Sequence, residues 1–312
     1  MDLPENQNLL EAVDARTKLA GSNKMEILLF SLGTRETFGI NVFKVREVTK
    51  TPPITPTPNM PSGVEGVISL RGNIIPVIAL ASFLDIGANG VQTRETMMVT
   101  EYSRRTQGFL VHEVDRIVRV DWNKVKAPEG LFSGHEGLIT AITELPDGTL
   151  VSILDVEQLL ASAFGEENIP DLLPITNLSE RSVFFVDDSA VARKEIGLVL
   201  DKLGVSYHHA TNGLEGLDRL KATAARAQSE GKRLTDVLSA ILVDAEMPEM
   251  DGYVLTRHIK SDAQFDGIPV VMHSSLSSEA NRAMGKNVGV DAYVAQFDPA
   301  VLAETLRPLV AR

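Results

Sequence analysis

Asp187 and Asp188 stand directly after the apolar run Ser182 to Val186, and Asp244 directly after the run Leu238 to Val243. A further run, Ile268 to Met272, leads through His273 to Ser274, and another, Ala292 to Ala295, ends at Gln296. Ligands of open parallel sheets gather outside the carboxyl ends of the strands, so these residues face one crevice if the runs are parallel strands. Three carboxylates converging there repel one another unless a cation joins them. Oxygen ligation that leaves room for water and a phosphoryl group suits Mg²⁺. A carboxylate so placed is also a nucleophile able to take a phosphoryl group as an acyl phosphate. Each residue alone has a plainer reading. The acidic pair can cap the next helix through Ser189 or Asp188, Asp244 can be a turn residue before Ala245, Glu246, Met247 and Pro248, and Ser274 can satisfy a loop. Their joint occurrence, in order on successive strands, favours a site.

The elements that must position them alternate between strand and helix. Helical segments are expected over Ser189 to Leu203, Leu214 to about Ala227, Gly252 to Ser261, Ser278 to Asn287 and Pro299 to Leu309, with a short strand at Ser206 to His209. Five strands alternating with helices in about 130 residues imply a doubly wound α/β domain with a parallel sheet covered on both faces. Lys221 to Asp236 lengthens the interval between Asp188 and Asp244 and reads as a solvated helix extension.

Ahead of this lies a different pattern. Met25 to Leu32, Thr37 to Asn41, Val64 to Leu70, Ile74 to Ile78, Thr96 to Tyr102, Phe109 to Val120, Leu138 to Glu144 and Thr149 to Leu154 read as short strands separated by turns, several of them glycine-containing. An all-β domain follows, of barrel or sandwich type. Val156 to Phe164 has helical spacing and closes it, and Ile169 to Glu180, with two prolines and no sustained period, reads as a stiff linker. The expected division is an N-terminal segment over 1–24, an all-β domain over 25–165, a linker over 166–180 and the α/β domain over 181–312.

Composition narrows the function classes. The 312 residues carry 30 Lys and Arg against 42 Asp and Glu, a net charge of −12 that disfavours nucleic acid and anionic membrane as partners. Cysteine is absent, which removes disulfides, thiolate nucleophiles and cysteine-based metal sites. The start lacks the basic and apolar regions of a signal peptide, and the most apolar stretch, Gly63 to Leu84, is broken by Glu65, Arg71, Gly72, Asn73 and Pro76. A cytoplasmic setting without membrane insertion is expected. The all-β region has no nucleophile beside a base and no phosphate loop. The six histidines show no ligand spacing and read as core, surface or polar filler, and Trp122 as a barrel or interface anchor.

Three segments together, Val186-Asp187-Asp188-Ser189, Val243-Asp244-Ala245-Glu246-Met247-Pro248-Glu249-Met250-Asp251-Gly252 and Pro269-Val270-Val271-Met272-His273-Ser274-Ser275, resemble the response-regulator receiver family over about Arg181 to Arg312. The resemblance implies that Asp244 accepts a phosphoryl group from a histidine kinase. It implies that Asp188 binds Mg²⁺ directly, Asp187 through water and Glu246 through its backbone carbonyl. Ser274 would donate its hydroxyl to a phosphoryl oxygen, and Tyr293 matches the aromatic residue whose rotamer follows that contact. Where the family has a lysine after the last strand, this chain has Gln296. An amide still donates a hydrogen bond but brings no charge, so an attenuated phosphoacceptor is expected.

Phe38 to Val48 and, more specifically, Gly63 to Ile78 with its Arg71-Gly72 turn between apolar strands resemble the chemotaxis coupling family, CheW, over roughly Lys24 to Phe164. That family folds as two small β-barrels packed together and joins chemoreceptors to the histidine kinase CheA. The resemblance implies that Arg71 and Gly72 lie on a kinase- or receptor-facing surface, with Glu47 and Val48 near the receptor side. On physics alone Arg71 is merely a solvated turn residue. The order, CheW-like then receiver, matches the CheV-type coupling proteins, and implies an adaptor at membrane-associated receptor arrays, regulated by phosphorylation at Asp244. Two competing readings are a phosphate sink for CheA and a constitutive scaffold with a silent receiver. A small-molecule hydrolase with an aspartate nucleophile fits the Asp187-Asp188 pair and Pro248 less well.

Overall fold

The computed structural model describes residues 24–84, 86, 96–102, 105–126, 138–165, 169–176, 180–247, 249–274, 279–295 and 298–311. The chain divides between residues 166 and 167 into two compact units. Gln296 and His135 lie outside the described residues, as do residues 1–23 of the expected N-terminal segment.

Among the described residues the first unit has ten strands: β1 (Lys24–Ser31), β2 (Thr37–Asn41), β3 (Val45–Lys50), β4 (Val64–Leu70), β5 (Asn73–Ala79), β6 (Thr96–Tyr102), β7 (Arg105–Val111), β8 (Glu113–Asp121), β9 (Ile139–Glu144) and β10 (Leu150–Leu154). They form two five-stranded sheets, ordered β8-β1-β2-β10-β9 and β3-β6-β7-β5-β4. Each sheet curls until its edges meet. The chain after β8 pairs with edge strand β9 at Lys126 and Ile142, and the chain after β3 pairs with edge strand β4 at Thr55 and Val67. Closing the edges in this way removes unpaired backbone groups from the rim of each sheet.

Each sheet buries its own small core. One holds Ile27, Leu29, Trp122, Val151 and Ile153, and the other Ile68, Val77, Met97 and Leu110. A third cluster takes Phe30 and Phe38 from one sheet, Ile78, Met98 and Phe109 from the other, and Leu159 from helix α2 (Val156–Phe164). A single-turn helix, α1 (Leu80–Phe83), follows β5.

Two local expectations are corrected. The run Phe109 to Val120 is not one strand: β7 pairs with β6 in one sheet and β8 with β1 in the other. The crossing falls at His112, whose backbone N–H bonds the carbonyl of Ser31. β3 was not expected, because Arg46, Glu47 and Lys50 obscure its alternation, yet Glu47 to Lys50 pair in register with Val99 to Thr96.

The second unit follows the strand and helix alternation closely. Strands β11 (Ser182–Val186), β12 (Tyr207–Ala210), β13 (Leu238–Asp244), β14 (Val270–Ser274) and β15 (Ala292–Ala295) form one sheet in the order β12-β11-β13-β14-β15, all neighbours parallel. Helices α3 (Ala190–Leu203) and α7 (Pro299–Val310) pack on one face, while α4 (Gly213–Ser229), α5 (Gly252–Ser261) and α6 (Glu279–Val288) serve the other. Near-continuous burial of β11, β13 and β14 explains their uninterrupted apolar runs. The segment read as a linker packs on this unit over Ile169 to Ile175. Ile169 is buried, Lys202 Nζ donates to the carbonyls of Ile169 and Pro170 at 2.9 and 3.1 Å, and the Ile175 N–H bonds the carbonyl of Leu203.

Candidate functional site

The strand order reverses between β11 and β13, since β11 leads outward to β12 on one side and to β13 on the other. Ligands collect at the carboxyl ends around such a point. Asp187 follows β11 and Asp244 ends β13, so the fold brings together carboxylates 57 positions apart (244 − 187). One oxygen of each, and one ring nitrogen of His273 on β14, all lie within 4.8 Å of one another.

Local structure explains how each side chain is held. Ser189, not the acidic pair, caps α3: its hydroxyl oxygen accepts from the Ala192 N–H at 3.2 Å. Asp187 Oδ1 accepts from the Ser189 N–H at 2.8 Å. Its other oxygen, Oδ2, faces His273 Nε2 at 3.4 Å. Arg193 Nη1 donates to the backbone carbonyls of both Asp187 and Asp188 at 2.8 Å, which fixes the turn that carries them. The side chain of Asp188 is not part of the close group formed by Asp187, Asp244 and His273.

Asp244 Oδ2 accepts from the Glu246 N–H at 3.3 Å. The turn after β13 is tight because Gly252, at the start of α5, lies directly over the Asp244 carbonyl; a Cβ there would come within 2.0 Å of that oxygen. Asp251 caps α5, its Oδ1 accepting from the Val254 N–H at 2.7 Å. In the sequence Asp251 and Gly252 stand only as parts of a motif, and the packing supplies their physical reason.

Ser274, at the end of β14, is fully buried, and Tyr293 on β15 lies beside it. Burial pushes the Tyr293 hydroxyl up to about 12, with the negative charge of Glu246 and Asp244 adding to the effect. Tyr253 on α5 reaches the same place. It is 4% exposed, and burial together with Tyr293 and Glu246 raises its hydroxyl well above the ordinary range. Neither tyrosine hydroxyl has a hydrogen bond of normal geometry within the described residues.

Two of these residues escaped the sequence reading. Tyr253 falls at a helix position where an aromatic reads as core. In the sequence His273 reads as filler like the other histidines, yet it is 3% exposed and burial pushes its imidazole down to about 3, so it is neutral at physiological pH. The available signal was its place, a polar residue at the carboxyl end of an otherwise apolar, fully buried parallel strand.

The donor set fits a divalent cation. Two carboxylates held this close on fixed turns repel unless a positive charge joins them, and the oxygens suit Mg²⁺. The predicted Glu246 contribution is a backbone carbonyl in the same turn as Asp244.

In the first unit, Arg71 and Glu47 meet: Arg71 Nη2 lies 2.5 Å from Glu47 Oε2. Arg71 adopts φ 49° and Gly72 φ 86° in the turn between β4 and β5, and Gly72 faces open space. Val48 is half-buried and packs against the cluster shared by the two sheets.

Two units, one of paired β-sheets and one a parallel sheet with carboxylates at its switch point, define a coupling domain fused to a response-regulator receiver. Residues 26–164 match the CheW-like domain and residues 183–307 the response regulator receiver domain. The chain is 32% identical to chemotaxis protein CheV3 of Helicobacter pylori over 88% of each chain, and 29% identical to CheV1 of the same organism over 93% of this chain and 94% of that one. It is also 32% identical to the sensor histidine kinase CheAY of that organism, over 74% of this chain and 28% of the kinase. The chain belongs to the CheV family of chemotaxis proteins, and is a chemotaxis coupling adaptor with a phosphorylatable receiver domain. Receiver domains as a class bind Mg²⁺, and a cluster of side chains that could hold a metal ion is present at this switch point.

Proposed function

We propose that Asp244 is the phosphoacceptor and that phosphorylation there regulates how the CheW-like unit couples chemoreceptors to the histidine kinase CheA. The observation that carries this reading is the meeting of Asp187 and Asp244 at the switch point, on strands whose order places no other described strand end between them. The carboxylate oxygen of Asp244 attacks the phosphorus of a phosphoimidazole on the kinase. A P–O bond forms, the P–N bond breaks, and the electron pair of that bond leaves with the imidazole nitrogen.

The chain's own residues set the stage for this transfer. The Glu246 N–H orients the Asp244 carboxylate. Asp187, Asp188, Asp244 and the Glu246 carbonyl would hold Mg²⁺, whose charge offsets that of the incoming phosphoryl group. Ser274 donates its hydroxyl to a phosphoryl oxygen, and Tyr293 follows that movement. Gln296 supplies an amide where a lysine is usual, which weakens but does not remove the stabilisation. Arg71, Gly72, Glu47 and Val48 form the partner-facing surface of the first unit, and recruitment to receptor arrays follows from that contact. The acyl phosphate is lost by hydrolysis.

Transfer of labelled phosphate from phosphorylated CheA to the purified chain with Mg²⁺ tests the reading. Label is expected on the wild type, absent from Asp244→Ala and longer-lived in Gln296→Lys. Wild-type chain that stays unlabelled while still binding the kinase would leave a scaffold with a silent receiver.

A further inference from the structure

His273 has no part in the phosphoacceptor chemistry above, yet its imidazole is buried against the cation pocket with Nε2 turned to Asp187 Oδ2. Their separation, 3.4 Å, is long for an N–H donating to a carboxylate, for which about 2.7–2.9 Å is usual. It matches two ligand atoms on one ion. For a cation about 2.1 Å from each, the nitrogen and oxygen stand roughly 3.0 Å apart at a right angle and about 3.4 Å apart at the tetrahedral angle. An Asp244 oxygen lies within 4.8 Å of both groups, so the three side chains border one pocket.

The Ser189 N–H engages Asp187 Oδ1, and Oδ2 is the oxygen that faces the imidazole. The backbone of His273 is fixed from both sides by the sheet, because its strand pairs with Asp244 on one side and Val294 on the other, and burial leaves its ring little room to turn. A rigid imidazole cannot withdraw from an ion that prefers only oxygen, nor does Mg²⁺ gain from a nitrogen donor, whereas first-row transition metals do.

We infer that His273 is a specificity-determining ligand that makes this receiver's cation site bind nitrogen-accepting divalent transition metals more tightly than Mg²⁺. The inference rests on the proposed reading in one respect, that Asp187 and Asp244 hold a divalent cation.

Titration calorimetry of the full chain with Co²⁺ and with Mg²⁺, together with the visible absorption of the Co²⁺ complex, tests it. His273→Leu is expected to lower Co²⁺ affinity by at least about tenfold while changing Mg²⁺ affinity little. His273→Gln keeps a hydrogen-bond donor near Asp187 without an imidazole, and is expected to lose Co²⁺ affinity to the same degree and to alter the absorption bands. Asp244→Ala should remove the Co²⁺ signal, which locates it in this pocket rather than at surface histidines. Equal loss of both ions in His273→Leu, or full Co²⁺ affinity in His273→Gln, would show that the imidazole only orients Asp187 and would overturn the inference alone. Wild-type chain that binds neither ion in this pocket would overturn both this inference and the cation site beneath it. Unchanged thermal unfolding of both His273 variants guards against loss of fold as the cause.

Discussion

Arg71 Nη2 meets Glu47 Oε2 at 2.5 Å, joining the turn after β4 to β3, although these strands are the opposite edges of one five-stranded sheet. The pair therefore spans the seam where that sheet closes, alongside the Thr55 and Val67 pairing. The arginine side chain is 75% exposed, and exposed pairs contribute at most about 1 kcal/mol to folding. Its consequence is a charge of fixed position on the surface. Arg71→Glu is expected to leave the melting temperature nearly unchanged and to reduce co-sedimentation of CheA with receptor-containing membranes. The exchanged pair Glu47→Arg with Arg71→Glu restores the bridge but reverses its polarity. Coupling that stays low in this double variant would show that a partner reads the charges, whereas full recovery would reduce the pair to a seam contact.

How far this was legible in the sequence differs between the units for a physical reason. Central parallel strands are buried on both faces, so β11, β13 and β14 appear as apolar runs with their functional residues at the ends. The first unit is harder to read. β7 and β8 run together in sequence, and only pairing with different partners separates them at His112. The carboxylates of the site were legible because spacing and strand ends locate them. His273 was not, because nothing in a linear pattern shows that a histidine inside a buried strand faces Asp187 rather than a neighbouring helix.

Gly252 is fixed by the close approach of α5 to β13. An added methyl group would stand 2.0 Å from the Asp244 carbonyl oxygen, a backbone atom that moves only if the turn after β13 moves. Gly252→Ala is therefore expected to cost about 3 kcal/mol in urea unfolding. It should also weaken Mg²⁺ binding, because the displaced turn carries the Asp244 carboxylate and the Glu246 N–H that orients it. A variant of ordinary stability and cation affinity would contradict the tight packing assigned to this turn.

The tyrosines predict an alkaline limit to stability. Burial pushes Tyr293 up to about 12, against about 10 for a tyrosine in the unfolded chain. Between these values the unfolded state has released its proton and the native state has not, so the native state binds more protons. Stability is thus fully present below pH 10 and falls as pH rises through 12, by up to about 1.4 kcal/mol per unit. Tyr253, raised in the same direction by burial, adds to the slope. Urea unfolding at pH 9, 10 and 11 should show a steeper decline for wild type than for Tyr293→Phe. Parallel declines would mean that the hydroxyl is not held neutral by its surroundings.

Ile169 shows that the receiver fold begins before its first strand. Its side chain packs among Ile196, Val199, Leu200 and Leu203 of α3 and Leu302, Leu306 and Val310 of α7, and is 6% exposed. Polar contacts hold the backbone over the same groove: Lys202 to the carbonyls of Ile169 and Pro170, and Arg307 Nη2 to the carbonyl of Leu173 at 2.5 Å. Truncating a buried isoleucine in such a cluster costs about 2–4 kcal/mol. Lys202→Ala and Arg307→Ala remove partly exposed bonds to carbonyls that water can still reach, and each is expected to cost less, about 1 kcal/mol. Urea unfolding ranks the three variants, and hydrogen exchange at the Ile175 amide, bonded to the Leu203 carbonyl, reports the segment directly. Loss of protection there in Ile169→Ala, with protection kept in Lys202→Ala, would show that the apolar contact anchors the segment and the lysine only trims its register. The opposite order would make the helix-end cation the anchor, and would place the start of the receiver's core at β11.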